Sequence, residues 1–463
     1  MAETHDNPYT RGIAEFVSGL RYEAIPREVI ERMRLLILDG LGCGIYGAHL
    51  EWSCILRERL TLLDDTRKCA VWGTAAKLSA PHATLVNGTQ VQGFELDDMH
   101  HTGILHSGAV VLPALIASAE IRPGMSGREF LTSAVAGFEI GPRAGMCVGN
   151  EHVVQGWHSG ATIGIFSAVS GAARALKLDA DQTVHALGIA GTQACGLMAA
   201  QYGSMVKRMH AGRASQSGLY SAQFAEAGFT GIVNVFESPY GGFCTTFSRS
   251  TDRFNLAELT AGLGSVWQSM NVRLKFYSCV GSTHSTLDTV AEMRERHPFA
   301  PGDVAKIVIH TSEITLHHVG WKYVPQGVTA AQLNVSYCVA TLLLAGACFV
   351  DQFTDAMVAD PARMALAAKI EMREDPAITA LGRKARQKVR VEIYLKDGTK
   401  LEHGRDLSRA KTQFASASEV VKKFENLALH ALPRAQVEEL RDAVLGLDKL
   451  ADASVIGKLL ALQ

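Results

Sequence analysis

The sequence predicts a mainly α protein with a smaller α+β part, and three observations carry that reading. From Thr10 to about Ser265 nearly every segment has helical period and is rich in alanine and glycine. After Trp267 the pattern changes to alternation in VAKIVIHTS (304 to 312) and in KVRVEIYLKDGTKLEHGRD (388 to 406). From Ser416 the helical period returns.

Taken in order, the segment IPREVIERMRLLILDGLGCGIYGA places Pro26 where it suits a first helical turn, and its charges give way to an apolar face before glycines end the helix. The uncharged runs Val153 to Ala173 and Ala186 to Val206 suit helices inside a bundle, where small residues allow close packing. In the middle region Asp397-Gly398 is a hairpin signal between two alternating runs, with helices around Ala331 to Phe349 and Pro361 to Ile370 before it. The tail, NLALHALPRAQVEELRDAVLGLDKL, needs an apolar surface to dock on and is expected to return to the first domain. The expected division is a large all-helical domain of residues 1–267 and 407–463, formed by both chain ends, with an inserted α+β lid domain of residues 268–406.

At 463 residues, 47% of them hydrophobic and 20% charged, the chain is long enough for two or three domains. Its 45 basic and 46 acidic residues leave a net charge of −1 with no basic stripe, which argues against nucleic acid and anionic membrane as partners. The start, MAETHDNPYTRGIAEF, has no apolar leader core, so a cytoplasmic location is expected. The nine cysteines are scattered, never form CxxC, and read as small core residues of a reducing compartment. The most apolar run, Val335 to Val350, falls short of the about 18 residues a membrane span needs.

Three motifs invite function and are set aside. Gly42, Gly44 and Gly47 spell GxGxxG, but a charged amphipathic helix precedes them where a dinucleotide fold needs a strand. Ser204 and Lys207 spell SxxK without the companion elements of acyl hydrolases, for which Lys411-Thr412-Gln413 is no substitute. Asp97, Asp98, His100, His101 and His106 include metal-ligating types but no recognised ligand spacing.

What survives is a set of cationic or titratable residues in apolar, glycine-rich sequence. They are His106 in FELDDMHHTGILHSGAVVLPA, His158 in GWHSGA, Lys207 and His210 in AQYGSMVKRMHAG, and His284 in YSCVGSTHST. Singly, each could be a core histidine bonded to a carbonyl or a lysine reaching outward. Together they describe a pocket for a small polyanion: lysine and protonated imidazoles hold carboxylates, and an imidazole can give or take a proton. Gly156 and the turn Tyr240-Gly241-Gly242 would let backbone approach the ligand.

These strings, ELDDxH with HSGAVVLPA, GWHxGAT and TQACGLMAAQYGSMVKRMHAGRA, resemble the MmgE/PrpD family, which includes 2-methylcitrate dehydratase, cis-aconitate decarboxylase and iminodisuccinate epimerase. The resemblance covers essentially the whole chain, with ILDGLGC and LNVSYCVA included, and is greatest to the cis-aconitate decarboxylases. It implies a helical domain built by both chain ends, an α+β lid, a site between the two, a homodimer, and no metal or organic cofactor. Carried over singly, it implies His106, His158, Lys207, His284 and Asp97 as catalytic, and Glu95 and Tyr323 as substrate-binding; His101 and His210, which the residue pattern places beside them, are expected to bind substrate as well. Glu95 stands where animal decarboxylases have aspartate, and His101 lacks a counterpart, as a one-residue insertion would leave it. The implied reaction is loss of carbon dioxide from cis-aconitate with general-acid protonation by His106, assisted by His158, while Lys207 and His284 hold carboxylates. A hydro-lyase, an epimerase and a carboxylate-binding protein are the alternatives.

Overall fold

The computed structural model describes residues 6–149, 151–202, 204–250, 252–382, 385, 387–409 and 414–463. Lys411, Thr412 and Gln413 lie outside the described residues. The chain falls into two compact units: residues 1–93, 97–274 and 416–463 in one, and residues 94–96 with 275–415 in the other.

The first unit is helical. Its central helices are Ala80–Val91, Ser107–Ile121, Gly127–Val148, Gly164–Ala175 and Val206–Glu226. Small residues let them touch at the backbone: a Cβ on Gly88 would stand 2.6 Å from the Cα of Gly212, so these two helices cross where neither has a side chain. Ser126 and Glu129 form a capping box that starts the Gly127–Val148 helix, satisfying amide donors the helix leaves open. Pro26 stands just before the Arg27–Tyr46 helix as its N-cap residue. That helix runs through Gly42 and Gly44 and ends at Tyr46, with Gly47, the last glycine of the run, as its C-cap. The glycines are packing contacts: a Cβ on Gly42 would lie 3.2 Å from the Phe424 Cα, and one on Gly44 2.5 Å from the Trp72 ring. Helical geometry here, with no strand before it, removes the phosphate cradle that GxGxxG spells.

The chain ends meet inside this unit. The Ala417–Ala428 helix packs on Arg27–Tyr46, and its Lys423 ammonium lies 2.7 Å from the Asp39 carboxylate, both fully enclosed. Burial works against the lysine's charge, and the attraction of Asp39 outweighs it, so the Lys423 pKa is raised.

The second unit is built on a four-stranded sheet in the order Ile370–Glu374, Val304–Thr311, Val389–Leu395, Lys400–Arg405. Val304–Thr311 pairs parallel with Ile370–Glu374 and antiparallel with Val389–Leu395. Asp397-Gly398, with Gly398 at φ +92°, turns the expected hairpin into Lys400–Arg405. Val389, Val391 and Ile393 are buried on one face, whereas Arg390, Glu392, Tyr394, Lys400 and Glu402 form an ion-paired lattice on the other. The segment expected as one helix over Pro361 to Ile370 is a short helix, Pro361–Ala367, followed at Ile370 by a strand. Gly281–Arg296 and Val335–Ala345 are the longest helices of the unit among the described residues. Among the described residues no helix is long and apolar enough to cross a membrane.

Candidate active site

In the first unit the loop 97–106 leads into the Ser107–Ile121 helix, and its titratable residues divide the work of building that junction. Asp98 caps the helix from ten residues upstream, its two carboxylate oxygens accepting the Gly108 amide at 3.0 and 3.1 Å. Burial, and the Asp97 carboxylate beside it, push the Asp98 pKa up to about 7. His100 holds the turn: its Nδ1 accepts the Gly103 amide at 2.9 Å, which leaves Nε2–H to donate to Gln268 at 3.1 Å. Burial drives its pKa down to about 4, so it stays neutral at physiological pH. His101, next in the chain, sits half-buried on the turn itself.

His106 is the N-cap residue of the Ser107–Ile121 helix, yet its side chain caps nothing. Its Nδ1–H donates to the Asp98 carbonyl oxygen at 2.7 Å, and the Asp97 carboxylate stands 3.1 Å from the same nitrogen as a charge partner. Asp97 is 1% exposed, so its charge acts on the imidazole through little solvent. Anchoring through Nδ1 fixes the tautomer and turns Nε2 toward other chemistry, the arrangement a general acid or base requires.

A second pair lies in the same unit. His158 Nδ1 and His210 Nδ1 are 2.9 Å apart, so one ring donates and the other accepts. His158 begins the short Ser159–Thr162 helix, and His210 sits near the start of Val206–Glu226, three residues after Lys207. Burial, then the Lys207 ammonium, lowers the His210 pKa, so that ring is a neutral partner. Ser159 donates its hydroxyl to the Ile104 carbonyl, tying the His158 segment to the loop that carries His106. Arg208, buried beside Lys207, lies with its guanidinium 5.6 Å from the centre of the Trp52 ring.

The second unit holds the remaining candidates. Residues 94–96 are secured by the Phe94 carbonyl, which accepts from Ser278 and from Gln332, each at 3.1 Å. Glu95, at φ +59°, is thereby placed with its carboxylate 3.6 Å from the Lys275 ammonium; both are buried. His284 lies on the first turn of Gly281–Arg296, its Nε2–H donating to the Cys279 carbonyl at 3.1 Å, with the Tyr277 ring edge-on at 5.3 Å. Tyr323 is packed on Tyr337 and donates its hydroxyl to the Val358 carbonyl at 2.9 Å, which commits that group to the unit's own interior.

The structure thus joins Asp97 to His106, and His158 to His210 near Lys207, within one unit; Glu95, His284 and Tyr323 belong to the other. Sequence reasoning missed Lys275, Arg208 and the Asp39–Lys423 pair. The signal for Lys275 was present, since a lysine in the run VRLKFYSCV is as anomalous as the one in GSMVKRMHAG.

Family models for the MmgE/PrpD N-terminal domain and the MmgE/PrpD C-terminal domain match residues 11–255 and 277–449. A cis-aconitate decarboxylase-like protein of Aspergillus oryzae is 33% identical over 97% of this chain and 97% of its own length. The cis-aconitate decarboxylase of Aspergillus terreus is 32% identical over 97% and 95%, and that of Mus musculus 26% over 97% and 93%. The matched models and the relatives' names support an enzyme of the lyase type.

Proposed function

Because the chain belongs to the MmgE/PrpD family, we propose that it is a lyase of small di- or tricarboxylates whose reaction is decarboxylation of cis-aconitate to itaconate. The observation that carries this reading is His106, held through Nδ1 by Asp97 and the Asp98 carbonyl and so left with Nε2 to deliver a proton. The names of the Aspergillus relatives support the substrate.

In this reaction the bond between a carboxylate and its methylene carbon breaks, carbon dioxide leaves, and the electron pair spreads over an allylic system. His106 Nε2–H then protonates the far carbon of that system, and the imidazole is recharged from water. The cations of Lys207 and Arg208 stabilise the charge that develops, an effect that grows where water is scarce. The His158–His210 pair positions a second imidazole for the remaining carboxylates.

A hydro-lyase acting on 2-methylcitrate would use the same groups, with one imidazole abstracting a proton α to a carboxylate and another group protonating the departing hydroxyl. The test is to incubate chelator-treated protein with cis-aconitate and, separately, with 2-methylcitrate, and to identify products by NMR. Itaconate from the first is the expected result; turnover of the second alone moves the protein to the hydro-lyases, and binding without turnover in a thermal-shift panel reduces it to a carboxylate-binding protein.

A further inference from the structure

Within the second unit three cysteines from three separate stretches of chain converge. Cys279 lies in the turn before the Gly281–Arg296 helix, Cys338 on the Val335–Ala345 helix, and Cys348 just beyond it. Gly346, at φ +71°, ends that helix in the left-handed region. The Cys348 carbonyl then accepts the Ser278 amide at 3.0 Å, which brings Cys348 beside Cys279. The three sulfur atoms all lie within 4.8 Å of one another, and the residues are 0%, 0% and 2% exposed. Cys279 Sγ also meets the Thr283 hydroxyl at 3.0 Å and Cys338 Sγ the Ala331 carbonyl at 3.5 Å, both weak interactions.

We propose that Cys279, Cys338 and Cys348 form a binding site for one thiophilic d10 dication, of which Zn(II) is the biological member. Sulfur ligands at about 2.3 Å from such an ion stand ~3.8 Å from each other, so the triad closes on it by moving at most about 1 Å. Binding converts three thiols to thiolates and releases three protons, leaving one net negative charge around a dication. A monovalent soft ion in the same three-thiolate shell would leave two, which costs more to bury. The site is independent of the reaction proposed above and asks nothing of its substrate.

The decisive measurement is zinc content and X-ray absorption on full-length protein purified under reducing conditions from zinc-supplemented culture without chelator. One zinc per chain with three sulfur scatterers at about 2.3 Å is expected. A shell of nitrogen and oxygen alone, or zinc lost on desalting, overturns the proposal. Cys338→Ala and Cys348→Ala should each weaken retention at least 100-fold against a chromogenic chelator, while Cys195→Ala, at an exposed thiol, should leave it unchanged. If the core variants fail to fold, the absorption spectrum of the unaltered chain still decides. Because three protons leave, affinity should fall steeply from pH 8 to pH 6; affinity that ignores pH would also overturn the assignment.

Discussion

Two imidazole arrangements in the helical unit differ in what faces the anchored nitrogen. His106 leans on a buried carboxylate and a main-chain carbonyl, and so has a fixed donor side that leaves Nε2 out of both contacts. His158 and His210 lean on each other, and burial, with Lys207 close by, holds the second of them neutral. A carboxylate and a carbonyl on Nδ1 fix which nitrogen can exchange a proton with substrate, whereas an imidazole partner ties one ring to the other and suits orientation. The largest effect should therefore come from His106→Gln, which should lower kcat on the proposed substrate by roughly 10² to 10⁴ with little change in melting temperature. His210→Asn, which keeps a hydrogen-bonding side chain, should cost only about tenfold, expressed more in KM than in kcat. Equal losses in both parameters for the two variants would erase the distinction.

Behind the His106 loop the contrast between paired and unpaired charge is tested by Lys423. Its ammonium and Asp39 are both enclosed, so Lys423→Met strands a carboxylate in the core and should cost about 3–5 kcal/mol of stability. Adding Asp39→Leu should restore most of that loss in chemical denaturation. The ion pairs on the exposed sheet face make the counterpoint: Lys400→Met, at a side chain 43% exposed, should change stability by less than about 1 kcal/mol.

Imidazoles that lack a carboxylate partner also set the pH response of the fold. His100 and His152 are held neutral by burial down to about 4, while the unfolded chain protonates them near 6.5. Unfolding then takes up protons, so stability is full above pH 6.5 and falls as pH drops from 6.5 to 4, by ~3 kcal/mol per residue at the limit. Melting temperature measured from pH 7.5 to pH 4.5 should show this decline, and His152→Gln should flatten it.

Much of this was legible in the sequence because it is written in period and in local anomaly. The helical and alternating stretches announce the fold class, and a histidine in GWHSGA stands out without any neighbour. What was not legible depends on residues far apart or on a single step in register. Asp39 and Lys423 are unremarkable until the tail docks. The strand Ile370–Glu374 follows the Pro361–Ala367 helix too closely for periodicity to separate them, and it is the parallel partnership with Val304–Thr311 that makes IEMRE a strand. Likewise nothing in the sequence tells that Phe94–Leu96 groups with the second unit, since three residues carry no pattern of their own.

A modest effect is expected from the carboxylate next to the important one. Asp97 and Asp98 look interchangeable in ELDDMHH, but a one-residue step sends one to His106 and the other to the Gly108 amide. Asp98→Ala removes the cap and should cost about 0.5–2 kcal/mol. Asp98→Asn keeps an oxygen for that amide and removes an ionisation the fold resists. A buried carboxyl raised to about 7 costs stability as pH rises from its unfolded value of 3.8 toward 7 and above. Relief of that ionisation is common to both variants, so the asparagine variant should gain on the parent between pH 6 and pH 8 and stay above the alanine variant at every pH by the value of the cap. If both lose equally across that range, Asp98 is held ionised, and the work of accommodating a charge at this helix start falls on Asp98 as well as on Asp97.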